Sequence, residues 1–191
     1  MKKDVFKTEL NYIKNSKYRK NAEVLISLLP DYFFEVPASS TGKYHPSFAQ
    51  GQGGLVRHTK VAVKIAHELL NSILGQSFNQ EEKDLIILAL ILHDGLKHGN
   101  PKEEYVRFDH PVLIAKFIQN NQKRTTFNDK EIQFLTNIIS SHMGPFNTNK
   151  YSDVILPIPK NKYQKFVHMC DLLASRKFLD VKFDSNNNIA E

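Results

Sequence analysis

Eight consecutive apolar residues, Leu85 to Leu92, run directly into the pair His93-Asp94. A run of this kind, with Asn79 ahead of it as a helix N-cap, predicts a helix that is buried on nearly all of its faces. Burying an imidazole and a carboxylate at the end of such a helix is costly unless something such as a metal ion compensates them. The run therefore predicts a core built around one helix, with chemistry at the carboxyl end of that helix.

The spacing of apolar residues along the rest of the chain predicts an all-α fold, a bundle of about six or seven helices. Two helices are predicted before Pro30, and the others are predicted over 55–74, over 80–92, from His110, from the cap at Asn128 to His142, and over 162–177. We expect one domain, with a helical extension over 1–30, a core over 31–178 and a tail over 179–191 whose end frays. Segment 31–54 is rich in glycine, proline and aromatic residues, and it predicts an ordered loop of the kind that often carries function.

Composition limits the class of protein. The 191 residues include a single cysteine, Cys170. One cysteine cannot form an internal disulfide or a cysteine-based zinc site, so a reducing cytoplasmic location is expected. The N-terminal segment lacks the apolar core of a signal peptide, and no apolar run reaches the roughly 18 residues of a membrane span. The formal net charge of +6 favours an anionic partner.

Histidine and aspartate recur at or near helix ends and on helical stripes. The candidate metal ligands are His58, His93, Asp94, His110, His142 and Asp171. Imidazole and carboxylate together are typical of a hydrolytic transition-metal or Mg/Mn centre. Taken singly, each residue also has a plainer interpretation, since a lone histidine is more often hydrogen-bonded or solvated, and Asp171 could face solvent on an amphipathic helix.

The order of these residues resembles the HD superfamily of metal-dependent phosphohydrolases over roughly residues 33–176. The segment ILHDGLKHG looks like the LHDIGK motif of that family, DHPVLIAKFI like its HP segment, and IISSHMG like its HH segment. The stretch VPASSTGKYHPSFAQGQGGLVRHT is similar to the segment that opens the HD domain of bacterial 3′-to-5′ exoribonucleases. Four features depart from these patterns: the glycine of HDGLK is shifted, His142 follows Ser140 and Ser141 without a second histidine, no GYP triplet follows His142, and no OB-type nucleic-acid module is recognisable. The missing triplet argues against the HD-GYP cyclic-dinucleotide phosphodiesterases.

The resemblance implies a binuclear site. All six positions would ligate a divalent metal, with two ions (Mn, Fe, Mg, Ni or Co) bridged by Asp94, and Lys97 would stabilise charge developing on the phosphoryl group. His45, Arg57 and Arg176 are candidate substrate-binding residues, although each can also be a plain loop or surface residue. Single histidines within helices, His67 and His168, are expected to be structural.

The predicted function is hydrolysis of a phosphoester of a nucleotide or single-stranded nucleic acid by metal-activated hydroxide. One alternative is a nucleotidase or an alarmone or dinucleoside polyphosphate hydrolase. The other is a catalytically inactive HD-fold module that binds nucleotides. Occupancy of all six ligand positions favours an enzyme, because a degenerate module would usually have lost some of them.

Overall fold

A computed structural model describes residues 1–42, 45–178 and 182–190. Within these ranges the secondary structure is helical, with only isolated β-bridges, and the predicted all-α fold is confirmed. The seven α-helices of the described residues are α1 (Lys7–Tyr12), α2 (Ser16–Leu28), α3 (Gly54–Asn71), α4 (Gln80–Leu92), α5 (His110–Asn120), α6 (Asp129–Ser140) and α7 (Lys162–Ala174). Short 3-10 helices lie at Lys2–Phe6, Asp31–Phe34, Ser47–Ala49, Ile73–Ser77 and Gln122–Arg124.

Helix α4 lies at the centre of the bundle, in contact with α1, α2, α3, α6 and α7. Every residue from Asp84 to Leu92 is buried, because the apolar run leaves this helix no polar face to turn toward water. Asn79 begins the helix with a capping box, in which its side chain and that of Glu82 each accept from the other's backbone N–H. The central helix is therefore fixed at its start by local capping and along its length by burial.

Helices α1 and α2 cover one side of the core. Asp84 is buried near the start of α4, and its carboxylate accepts hydrogen bonds from the backbone N–H groups of Lys14 and Asn15. This contact fastens the turn between α1 and α2 to the central helix. Pro30 follows α2, as predicted, since proline cannot continue the helical hydrogen-bond ladder.

The loop over 31–54 is ordered in its described part and leads into α3. Gly54 begins α3 at a point where an added Cβ would lie 2.2 Å from the carbonyl oxygen of Ala49. Only glycine fits this close crossing of the loop over the start of the helix. The crossing sets the direction in which α3 enters the bundle, and α3 carries His58 on its second turn.

Two predicted helix ends differ in the structure. Helix α3 ends at Asn71, not at residue 74, and Gly75 lies in the following 3-10 turn, where a Cβ would meet the carbonyl of Leu70. Helix α7 ends at Ala174, three residues earlier than predicted. In the tail, Phe183 packs on Phe48 with ring centroids 5.6 Å apart, and the fraying of the end of the chain stays a prediction.

None of the helices in the described ranges has the length and apolarity needed to cross a membrane.

Candidate metal centre

Five elements deliver the predicted ligands to one place. His58 comes from α3, His93 and Asp94 from the end of α4, His110 from the first residue of α5, and Asp171 from α7. His142 follows α6 directly. All six side chains belong to three overlapping groups whose potential ligand atoms lie within 4.8 Å of one another.

Asp94 lies at the centre of this cluster, and each of its oxygens has its own neighbours. On one side, Oδ2 lies 3.7 Å from Nε2 of His58 and 3.4 Å from Nε2 of His93. On the other side, Oδ1 lies 3.1 Å from Nε2 of His110 and 3.7 Å from Nε2 of His142. One carboxylate thus lies between two sets of imidazoles.

Asp171 completes the first set. Its Oδ1 lies 2.9 Å from Nε2 of His58 and 3.4 Å from Nε2 of His93. The Oδ2 side of Asp94 therefore has two imidazoles and a second carboxylate, whereas the Oδ1 side has two imidazoles alone.

Three of the imidazoles are oriented by backbone carbonyls three residues earlier. Nδ1 of His93 lies 2.7 Å from the oxygen of Leu90, Nδ1 of His110 lies 2.6 Å from that of Arg107, and Nδ1 of His142 lies 2.8 Å from that of Ile139. A carbonyl oxygen can only accept, so each Nδ1 carries a proton and Nε2 is the nitrogen that faces the cluster, where its lone pair is free to ligate once the ring is neutral. This arrangement is the one in which histidine ligates a metal.

The polar atoms inside the cluster lack sufficient partners of their own. Nε2 of His110 and Nε2 of His142 lie 3.1 Å apart. In the neutral tautomers set by the carbonyls, both nitrogens are hydrogen-bond acceptors, so neither can donate to the other. Nε2 of His93 and Oδ1 of Asp94 are buried and have no hydrogen-bond partner among the described residues. A cation between these atoms would satisfy both carboxylate and imidazole lone pairs, so the donor set fits divalent metal.

The charge of the cluster also suits a cation. Burial raises the pKa of the Asp94 carboxyl, but Lys97 and His93 outweigh burial and hold it well below the ordinary value. The pKa of the Asp171 carboxyl is likewise held well below its usual range, against burial, by the hydrogen bond with His58 and by the nearby ring of His93. Both carboxylates are therefore ionised at neutral pH.

The pKa values of His93 and His142 are shifted in opposite directions. Burial would lower the pKa of His93, but Asp94 and Asp171 raise it to about 10. Burial lowers the pKa of His142 to about 3, so this ring is neutral and ready to ligate. His93 has to release a proton before it can bind a metal.

Lys97 lies one turn beyond the His-Asp pair, with its Nζ 2.5 Å from Oδ2 of Asp94. The shifted glycine of this turn has a packing reason, since a Cβ on Gly95 would lie 2.6 Å from the side chain of Leu29. Tyr32 holds the far end of the turn, because its hydroxyl donates to the carbonyl of Gly99 at 2.7 Å and accepts from the N–H of His98 at 3.3 Å. Lys97 is thus presented by a turn that is packed and hydrogen-bonded at both ends.

The three candidate substrate residues lie in different surroundings. The ring of His45 meets that of His58 edge to face, with centroids 4.9 Å apart, and its buried Nδ1 has no partner among the described residues. Burial, with a further contribution from His58 and Lys97, lowers the pKa of His45 to about 3. The aromatic and glycine-rich sequence of the 31–54 loop predicts that it covers the cleft with His45 or Tyr44 on its wall, and Tyr44 lies outside the described residues.

Arg57 and Arg176 have other partners. The guanidinium of Arg57 donates to the carbonyls of Phe48 and Gln50 and to Oδ1 of Asn187 in the tail. Arg176 is exposed and donates to the carbonyl of Leu172, where it caps the end of α7. Arg57 therefore links the 31–54 loop to the tail, and the substrate-binding role of both arginines stays a prediction.

Two residues outside the ligand set position parts of the site. His168, expected to be structural, donates from Nδ1 to the carbonyl of His142 at 2.7 Å and packs so closely on Gly144 that a Cβ there would overlap its ring. Tyr32, which holds the turn that carries Lys97, was not identified from the sequence. It belongs to no recognisable motif, and its contacts join segments distant in sequence, so no local signal could have found it.

Comparison with known proteins gives one broad match. A family model described as HD domain matches residues 55–176, which is more than half of the chain. No solved structure gives a significant match.

Two curated proteins share local similarity. The chain is 28% identical over 138 residues to cytochrome P450 1A2 of Felis catus, covering 71% of this chain and 23% of that protein. It is 27% identical over 119 residues to cytochrome P450 1A2 of Balaenoptera acutorostrata, covering 60% of this chain and 22% of that protein. The chain thus spans less than a quarter of the length of these curated relatives. At this identity and coverage, the similarity does not place it in their family.

Proposed function

This chain belongs to the HD domain family, whose members are in general metal-dependent phosphohydrolases, and we propose that it hydrolyses a phosphoester of a nucleotide or of single-stranded nucleic acid. HD domains bind divalent metals. We further propose that this chain binds two ions through His58, His93, Asp94, His110, His142 and Asp171.

One observation carries the proposal: Asp94 has imidazole Nε2 atoms near both of its oxygens, and its own Oδ1 and Nε2 of His93 have no hydrogen-bond partner among the described residues. A structural cluster would pair its buried polar atoms with one another. Here the rings of His110 and His142 instead direct lone pairs at each other, which only a positive charge between them relieves. A carboxylate between two such sets of ligands is suited to bridge two cations.

The residues around the metal site have separate roles in the proposed hydrolysis. A bound pair of divalent cations supplies Lewis acidity and lowers the pKa of a coordinated water. The backbone carbonyls behind His93, His110 and His142 fix the ring orientations before substrate arrives, so little reorganisation is needed. Lys97 contributes a fixed positive charge beside Asp94, where charge on the phosphoryl oxygens would develop.

His45 can recognise the substrate as a neutral group. Because its pKa is about 3, the ring is uncharged at neutral pH, and its unpaired Nδ1 is available for a hydrogen bond. Its contact with the ring of His58 places it beside the first ligand set. We assign it to a phosphate or ribose oxygen of the substrate.

Two sequence features support a nucleotide or nucleic-acid substrate. The segment over 36–59 is similar to the corresponding segment of bacterial 3′-to-5′ exoribonucleases, and the formal net charge of +6 favours polyanions. We propose Mn, Fe, Co, Ni or Mg as the metal, because mixed imidazole and carboxylate ligands suit these ions.

The test is a hydrolysis panel. The protein is loaded separately with each of the five metals and assayed on bis-p-nitrophenyl phosphate, on nucleotides and on short single-stranded oligomers. We expect the wild type to turn over at least one phosphoester in a metal-dependent reaction. Asp94→Asn should lose both this activity and the bound metal. A wild-type protein that holds metal and cleaves none of these substrates would refute the proposal.

A further inference from the structure

The loop over 144–160, which joins α6 to α7, exposes an unusual amount of apolar surface. Among the described residues, five of the eleven large apolar side chains that are exposed lie in this loop: Phe146, Tyr151, Val154, Ile155 and Ile158. The side chain of Tyr151 is the most exposed of the five at 82%, and that of Phe146 is exposed at 56%. Five exposed apolar side chains within one loop make it a candidate interaction surface.

This loop has a defined shape. Leu156 is buried and anchors it, donating from its backbone N–H to the carbonyl of Asn147 at 2.9 Å. Its tip is a tight turn, in which the N–H of Ser152 donates to the carbonyl of Asn149 and the N–H of Tyr151 donates to Oδ1 of Asn149. Tyr151 is therefore displayed by a structured turn, and less conformational entropy is lost when a partner binds it.

The surroundings of the loop are cationic. Segment 144–165 carries four exposed lysines, Lys150, Lys160, Lys162 and Lys165, against the single acidic residue Asp153, a net charge of +3. Two copies of this surface would repel each other, which disfavours self-association through it. Exposed aromatic rings among lysines are instead the combination that binds single strands, because bases stack on the rings while the cations follow the phosphates.

The loop also begins at the metal cluster. Phe146 is four residues beyond His142, so its Cα lies within about 14 Å of the ligand's Cα along an extended chain. Gly144 packs on His168, one turn before Asp171 on α7, which keeps the start of the loop beside the cluster. A single-stranded nucleic acid with one phosphate at the metal cluster could place a neighbouring base on this loop.

We propose that the loop over 144–160 is a binding surface for single-stranded nucleic acid, with Phe146 and Tyr151 as stacking residues. This inference rests on the proposed function, which it deepens by assigning a polymeric substrate. It also provides nucleic-acid affinity within the HD domain itself.

The test separates binding from chemistry. Binding of a fluorescein-labelled phosphorothioate 12-mer of oligothymidylate to the metal-loaded protein is followed by fluorescence anisotropy, and gel electrophoresis confirms that the probe stays intact. The variants are Phe146→Ala and Tyr151→Ala, with Tyr151→Phe as the conservative partner. Ile73→Ala is the control, because Ile73 is equally apolar and 78% exposed but lies outside the loop. Hydrolysis of bis-p-nitrophenyl phosphate is measured on every variant.

We expect each alanine variant in the loop to weaken oligonucleotide binding by roughly 5- to 150-fold, the range for loss of one stacked base. Tyr151→Phe and Ile73→Ala should bind like the wild type, and all variants should hydrolyse the small ester at the wild-type rate. Unchanged oligonucleotide affinity in both alanine variants would overturn the inference. So would equal weakening in Ile73→Ala, or a wild-type dimer that the loop variants convert to monomer in light scattering.

The two proposals fail in different ways. A wild type that hydrolyses the small ester but does not bind the 12-mer would overturn the binding surface and leave the phosphohydrolase proposal standing. Tight, loop-dependent binding without hydrolysis of any phosphoester would support the binding surface and refute the phosphohydrolase.

Discussion

His110 and His142 lie together on the Oδ1 side of Asp94, and this pairing predicts how metal content responds to substitution. Replacing His110 with glutamine removes one of only two imidazoles on that side. The Oδ2 side keeps His58, His93 and Asp171. We therefore expect His110→Gln to retain one divalent ion per chain, whereas the wild type binds two.

The magnitude follows from linkage between binding and unfolding. A ligand present at 100 times its Kd stabilises the folded state by about 2.7 kcal/mol per site. Unfolding entropy of about 2.1 cal/mol/K per residue gives roughly 0.4 kcal/mol/K for a chain of 191 residues. Each occupied site should therefore raise Tm by about 7 °C, so that full metal loading shifts the wild type about twice as far as His110→Gln.

Two measurements check this together: metal content by inductively coupled plasma mass spectrometry, and Tm by scanning calorimetry with and without chelator. His67→Gln is the matched control, because His67 stacks on Tyr12 and lies outside the ligand groups of the described residues. Asp94→Asn should lose both ions and the whole metal-dependent shift. A His110→Gln protein with the full wild-type metal content and Tm shift would show that His110 is not a ligand, and the two-sided interpretation of Asp94 would be wrong.

Three further predictions concern single groups. Lys97→Met should keep bound metal yet lose about 10²- to 10³-fold in turnover, since it withdraws only charge stabilisation; unchanged turnover would remove Lys97 from the mechanism. His45→Ala should raise KM or lower kcat without releasing metal, and kinetics identical to the wild type would place His45 outside the substrate site. Glu9 and Lys60 form a buried pair 4.0 Å apart, so Lys60→Met alone should destabilise the fold by about 3 to 5 kcal/mol in urea unfolding, whereas replacing both residues with methionine should be neutral or stabilising. Equal losses in the single and double variants would contradict the ion-pair explanation.

The fold class could be predicted from the sequence because it depends on local order. Helix α4 follows from an apolar run behind an N-cap at Asn79, and the capping box of Asn128 follows from Glu131 three positions later. The ends of α3 and α7 were placed three residues too late. Helix termini depend on backbone packing, such as the approach of Gly75 to Leu70, which apolar spacing does not encode.

The identity of the candidate ligands, and their order along the chain, were also available from the sequence, because the residue types and the motif HDGLK are local. Which of their atoms come into contact depends on the packing of the helices. His58 contacts Asp171 across 113 residues, and His110 contacts His142 across 32. Such pairings depend on how helices pack, and packing is set by the whole core at once.

Packing between distant segments also explains the partners of Arg57 and the contacts of the tail. Arg57 adjoins a ligand in sequence, yet on a helix successive residues point about 100° apart, so its side chain turns toward the 31–54 loop and Asn187. The contact of Phe183 with Phe48 joins residues 135 positions apart, and no local pattern predicts it. The helices and the residue types that could ligate a metal are predictable from the sequence, because they depend on neighbours within a turn. The tertiary structure determined which oxygen of Asp94 each imidazole faces, because that depends on contacts between helices far apart in the chain.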